Sequence, residues 1–208
     1  MTTEAAPAHP SVAAMAKLEQ VFTPGFSGNI RMPSRRLLKC SALPGEVKIT
    51  DLADSELCFE AHQEDVGATE AKLPGVRYTI FSRDYETGYH HPDIFAARLF
   101  RRALQYLEAQ HGAPLLRIVG MWSIEEGGSD NYTQYMAALQ PYGSNPFYHH
   151  KREAARTTWT GKMAAAMGFT SVGAITEERP PSKDYIMVDF DRPTAGGLYC
   201  RRSVLPGF

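Results

Sequence analysis

Residues 114–122, PLLRIVGMW, restrict the fold more than any other stretch of the chain. They are dense in Leu, Ile and Val with little alternation, the pattern of a strand covered on both faces. A helix over 92–111 precedes them, with Ala96, Leu99, Phe100, Ala103 and Leu107 on one apolar stripe and Arg98, Arg101, Arg102 and Gln105 on the other side. Pro92 suits its first position, where the missing N–H has no partner to lose, and Gly112 suits a left-handed C-terminal cap. Before that helix, GVRYTIFSR at 75–83 carries the β-branched and aromatic residues of a strand. Strand, helix and strand together predict a right-handed βαβ unit over 75–122.

The flanking pattern predicts a single α+β domain over 11–208, after a small, Pro-rich, polar tail at 1–10. A helix is expected over 11–22, with Ser11 as N-cap and Val12, Met15, Leu18 and Val21 at helical spacing, and TPGFSG breaks it. Strands are expected over 35–42, 46–52 and 56–62, the last with Leu57, Phe59 and Ala61 alternating against Glu56, Cys58, Glu60 and His62. Downstream, helices over 129–140 and about 149–167 are followed by strands over 170–176, 184–190 and 198–204. The expected architecture is a mixed sheet of about six to seven strands with helices packed on it.

At 208 residues, with 43% apolar and 22% charged residues, the chain buries a core without staples. Its 22 Lys and Arg nearly balance 23 Asp and Glu, which argues against a nucleic-acid partner held through phosphate neutralisation. The basic RMPSRRLLK at 31–39 reads as a solvated strand edge. No stretch approaches a membrane span and no signal peptide opens the chain, so a cytoplasmic protein without a membrane partner is expected. Cys40, Cys58 and Cys200 lack metal or redox spacing and read as reduced thiols, although spacing alone does not exclude a Cys40–Cys58 bridge.

Chemistry concentrates in two polar segments. GMWSIEEGGSDNYTQYM at 120–136 takes the chain from a strand through Glu125, Glu126, Gly127 and Gly128 into a helix start at Ser129, Asp130 and Asn131. Ser129 or Asp130 caps that helix in a structural reading; in a functional one, the end of a central strand beside a helix start is where open sheets bind ligands. RDYETGYHHPD at 83–93 brings Tyr85, Glu86, His90 and His91 to the end of the preceding strand. Parallel strands would set these two segments side by side, giving Glu125, Glu126, His90 and His91 as candidates for proton transfer. Arg77, Tyr85, Glu86, Ser129, Asp130 and Asn131 are then the substrate-positioning candidates, Arg77 because a buried guanidinium needs an anionic partner. The competing reading makes His91 or Asp93 a cap for the helix at 92–111. His149 and His150 are adjacent rather than four residues apart, so they form no helical ligand pair, and no metal or organic cofactor is expected. Signatures of nucleophile elbows, phosphate loops, dinucleotide turns and zinc proteases are absent.

The segments GMWSIEEGGSDNYTQYMAAL and REAARTTWTGKMAAAMGFTSV are similar to a pattern near the C-termini of some bacterial polymorphic-toxin and Rhs-type repeat proteins. The resemblance rests on Gly120, Trp122, Asn131, Tyr135, Ala154, Thr158, Thr160, Gly161, Lys162, Met163, Ala164, Gly168 and Phe169, and transfers no catalytic residue. The leading expectation is a small enzyme applying acid–base chemistry to a polar small molecule or peptide-like substrate. The alternatives are a non-catalytic module that binds a ligand or partner, and a delivered bacterial toxin or effector domain.

Overall fold

The computed structural model describes residues 10–55, 58–81, 91–123, 130–178 and 185–193. In chain order the elements are α1 (Pro10–Leu18), β1 (Phe26–Arg31), β2 (Leu37–Leu43), β3 (Glu46–Asp51), β4 (Cys58–Val66), β5 (Leu73–Phe81) and α2 (Ala96–His111). They continue with β6 (Arg117–Ser123), α3 (Asp130–Leu139), α4 (Tyr148–Thr157), α5 (Trp159–Ala166), β7 (Ser171–Glu178) and β8 (Tyr185–Asp191). The fold is α+β, and its strands form one mixed sheet in the order β1-β2-β3-β4-β5-β6-β8-β7. Eight strands among the described residues correct the expected six to seven. The strand without a sequence counterpart is β1, whose Ser27, Gly28 and Asn29 are poor strand formers held at an edge by pairing with β2.

The chain runs from β1 to β5 as an antiparallel meander. β5 and β6 then lie parallel, with α2 between them in the chain, but they pair only through Gly75↔Arg117, Val76↔Ile118 and Arg77↔Val119. Beyond that point β5 stays with β4 to Phe81 and β6 stays with β8 to Ser123. The predicted βαβ unit is therefore joined across a short contact rather than along whole strands. Because β8 is antiparallel to both β6 and β7, the strands β5, β6 and β7 all point their carboxyl ends to one side.

One face of the sheet carries the core. Ile49, Phe59, Ala61, Val76, Ile118, Trp122, Val188 and Phe190 pack there against Leu18, Leu99, Phe100, Leu107, Tyr135 and Met163. The tilted ring contact of Trp122 with Tyr135, at 5.8 Å between centroids, adds roughly 0.5–1.5 kcal/mol beyond area burial. On the other face Lys39, Lys48, Arg77 and Thr79 of the meander stand in solvent.

Three helices depart from the sequence reading. The first runs from Pro10 to Leu18, so that Ser11 lies inside it rather than capping it, and tightens to a 3-10 turn over Glu19–Phe22. α2 starts at Ala96 rather than Pro92, because the His91 ring accepts the N–H groups of Asp93 and Ile94 and holds that segment in a turn. Gly112 does cap its end, at φ 73°. The helix expected over 149–167 is two helices, broken at the buried, extended Thr158, whose hydroxyl accepts the Gly161 N–H. Gly161 permits the tight break, since a Cβ there would lie 2.3 Å from the Ala155 carbonyl oxygen. The strand expected over 198–204 and Cys200 lie outside the described residues. Cys40 and Cys58 are free thiols, and burial pushes Cys40 up to about 12. No helix among the described residues is long and apolar enough to cross a membrane.

β6 is covered on its outer face by residues 67–72, and this explains a buried arginine in an apolar run. Arg117 donates to both oxygens of Asp191, at 2.6 and 3.0 Å, and to the Ala71 carbonyl at 2.6 Å. Asp189 lies 3.0 Å from the same guanidinium, without an aligned hydrogen bond, and accepts the Ala68 N–H at 2.6 Å. Two buried carboxylates thus share one guanidinium. Burial raises Asp189 from 3.8 to about 6, the Ala68 N–H and Arg117 opposing the shift. A carboxyl that holds its proton more tightly when folded stabilises the fold fully below about pH 4 and loses that contribution as pH rises toward 6. Relative to Asp189→Asn, which does not titrate, the native chain should lose roughly 1–3 kcal/mol of stability from about pH 4 to pH 7. Urea denaturation across that range measures it; a constant difference between the two proteins contradicts it.

Candidate functional site

The sheet end where β5, β6 and β7 finish holds three polar arrangements, each fixed by a different local cause. The first surrounds Asp51, the last residue of β3. Its carboxylate pairs with Arg36, accepts the Ala53 N–H at 2.8 Å and lies 2.9 Å from His91 Nε2. His91 Nδ1 accepts two backbone N–H groups, at 3.0 and 3.2 Å, so Nε2 carries the proton and donates to Asp51. The His91 side chain is fully buried, and burial depresses its basicity against the pull of Asp51 and Asp93. Burial also pushes Asp51 up, but the Ala53 N–H, Arg36 and His91 outweigh it and hold the carboxylate below its ordinary range. A neighbouring bond from Ser34 to Asp93 ties the β1–β2 turn to the same segment.

The second arrangement fills the wedge where β5 and β6 separate. The Tyr78 hydroxyl meets Thr160 Oγ1 at 2.7 Å, and the Thr160 N–H donates to Asn131 Oδ1 at 2.9 Å. Asn131 therefore caps the first turn of α5 from the first turn of α3. Trp122 beside it is 2% exposed, and its indole N–H has no hydrogen-bond partner among the described residues.

The third is an open groove of about 300 Å³ on the helix side of the β7 and β8 ends. Tyr132 and Met136 of α3, Ser144 and Asn145 of the connection, Lys151 of α4 and Glu177 of β7 line it, with Ile186 behind. Glu177 accepts the Tyr135 hydroxyl at 2.9 Å and the Lys151 ammonium at 2.8 Å, both ionic partners being about one-quarter exposed. Burial, reinforced by the Glu177 carboxylate, pushes the Tyr135 phenol far up, so it remains a donor. Beside the groove, Tyr142 stacks on His150 at 3.7 Å and Phe147 on His149 at 5.9 Å, with Phe147 71% exposed.

Four of the ten predicted site residues lie among the described ones. His91 belongs to the Asp51 arrangement and Asn131 to the wedge. Asp130 opens α3 as its first residue. Arg77 stands on the solvent face, ion-paired with Glu64 at 2.6 Å, and so lies across the sheet from Asn131. His90, Tyr85, Glu86, Glu125, Glu126 and Ser129 lie outside the described residues. No group of three His, Cys, Asp or Glu side chains fit for a metal occurs among the described residues.

Glu177 and Lys151 are absent from the sequence reading for a definite reason. A bulge between Val172 and Ile175 inserts one residue into β7, so Val172, Ile175 and Glu177 face the helices together. Strict alternation from Val172 would place Glu177 in solvent. Comparison of the chain with protein families, characterised proteins and solved structures gives no match.

His91→Ala should lower stability by roughly 2–4 kcal/mol, because it strands the Asp51 carboxylate and two amide donors. Since folding depresses the His91 imidazole, its contribution is present above its ordinary value of 6.5 and lost as pH falls below it. Denaturation near pH 5 should therefore show a smaller gap between variant and native chain than denaturation near pH 8; equal stability at both pH values contradicts this role.

Proposed function

We propose that the chain is a ligand-binding domain that seats a polar small molecule or a peptide segment in the groove at the carboxyl end of β7 and the start of β8. The carrying observation is the Lys151–Glu177 pair at 2.8 Å, kept part-exposed in a concave site rather than buried or left on a convex surface. Among the described residues each partner keeps hydrogen-bonding capacity: the ammonium has further protons and the carboxylate further lone pairs. Met136, Leu139 and Ile186 supply an apolar wall beside them, the mixture typical of small-molecule sites. A ligand with a donor and an acceptor a few ångströms apart next to an apolar part fits this lining, as an amino acid or a peptide segment does.

A catalytic reading is favoured by the shared direction of β5, β6 and β7. The chain leaves β6 at Ser123 directly into the segment bearing Glu125 and Glu126, and leaves β5 at Phe81 into the segment bearing Tyr85, Glu86 and His90. In this reading Glu125, Glu126 and His90 exchange protons with substrate, Ser129, Asp130 and Asn131 position it, and His91 acts by holding the α2 entry in place. No organic cofactor is required for such acid–base chemistry.

Titration of amino acids, short peptides and polar metabolites against the native chain, Glu177→Gln and Lys151→Met tests the binding reading. A compound that raises the melting temperature of the native chain should bind either variant about tenfold more weakly, roughly 1.4 kcal/mol. Ligands that bind all three proteins equally would remove the groove from the account. With a substrate in hand, unchanged turnover in Glu125→Gln and Glu126→Gln would remove the catalytic reading and leave binding intact.

A further inference from the structure

The turn between β1 and β2 contains the single non-glycine residue in the left-handed region among the described residues, Arg35 at φ 69°. The Arg35 N–H donates to the Met32 carbonyl and the Met32 N–H to the Arg36 carbonyl, both at 2.9 Å. A tight turn over 32–35 whose last residue is left-handed is the hairpin that ordinarily takes glycine there. An arginine in that slot is strained relative to glycine. Nothing within the described chain explains its side chain: no hydrogen bond or ion pair holds the Arg35 guanidinium, and the 3.2 Å bond from Arg31 Nη1 goes to the Arg35 carbonyl, which glycine would also offer. The turn is nevertheless fastened on both sides of Arg35. Ser34 bonds Asp93, and Arg36 pairs with the buried Asp51.

We propose that this turn is a recognition site for a carboxylate-rich segment of a protein partner, contacted by Arg35 and Arg31. The fixed backbone leaves little main-chain ordering to the moment of binding, and each of the two exposed guanidinium groups can meet a carboxylate bidentately. Lys39 extends the positive charge one row along the solvent face of the sheet. Further along that face it stops, because Lys48 is paired with Glu60 and Arg77 with Glu64. Such a short positive stretch fits an acidic peptide and is too small to follow a nucleic-acid backbone.

The test uses the full chain and fluorescence anisotropy with a labelled oligoglutamate peptide, an oligoglutamine peptide of equal length and a short oligothymidylate. Arg35→Gly relieves the backbone, so it is expected to fold and to melt about 2–4 °C higher. It should bind oligoglutamate at least about fivefold more weakly than the native chain, whereas Arg156→Ala on α4 should change neither property. The native chain should bind oligoglutamine too weakly to measure and oligothymidylate more weakly than oligoglutamate. Equal oligoglutamate affinity in the native chain and Arg35→Gly overturns the proposal. So does tighter binding of oligothymidylate, or no binding of oligoglutamate by the native chain.

Discussion

Three residue pairs hold this molecule's architecture together. At Gly75↔Arg117, Val76↔Ile118 and Arg77↔Val119 a five-stranded antiparallel meander meets a three-stranded unit, and the parallel sense of that contact sets the direction of every strand beyond it. Gly75 is essential to the approach, since a Cβ there would lie 2.3 Å from the Arg117 carbonyl oxygen and 2.4 Å from Val66. The side chain of Arg117 then closes the outer face, tying residues 67–72 to Asp189 and Asp191 of β8. Removing one partner from such a buried group leaves an uncompensated charge, at about 3–5 kcal/mol. The junction therefore joins packing and electrostatics at one place.

That geometry makes the two ends of the sheet chemically unlike. At the end where β6 begins, polar groups are consumed internally. Arg192 pairs with Glu108 and lies over the Phe169 ring, Glu108 also accepts the Leu115 N–H, and Arg117 is enclosed by two aspartates. At the other end β5 and β6 separate, and α5 inserts its first turn through the Tyr78–Thr160–Asn131 chain of hydrogen bonds. There the Lys151–Glu177 pair faces a groove with capacity left for another molecule. Tyr142, Phe147 and Tyr148 expose apolar surface beside it.

Elements with a strong single period were readable from the residues alone. The α2 stripe of Leu99, Phe100, Ala103 and Leu107 is buried as its spacing requires, and β6 is enclosed apart from Met121. What escaped detection depended on contacts distant in sequence or on a local break in period. β1 is a strand because β2 offers it a partner, not because FSGNIR favours extension. The break between α4 and α5 comes from Thr158 turning extended to cap a new helix, which an Ala-rich apolar pattern conceals. The candidate site divides along the same line. The expected location at the ends of β5 and β6 rests on segments outside the described residues, whereas Glu177 lines the groove because a bulge shifts the β7 pattern by one residue. Arg77, read as a buried anion holder, lies on the open face because the meander is covered by helices on one side only.

The proposed binding function resides at the sheet end where β5, β6 and β7 finish. Amide chemical-shift mapping of the full chain against a mixture of amino acids and short peptides tests this directly. It predicts that the largest changes fall on Tyr132, Met136, Lys151, Glu177 and Tyr185. Changes confined to the opposite end, at Gly45, residues 67–72 and residues 112–116, would contradict it.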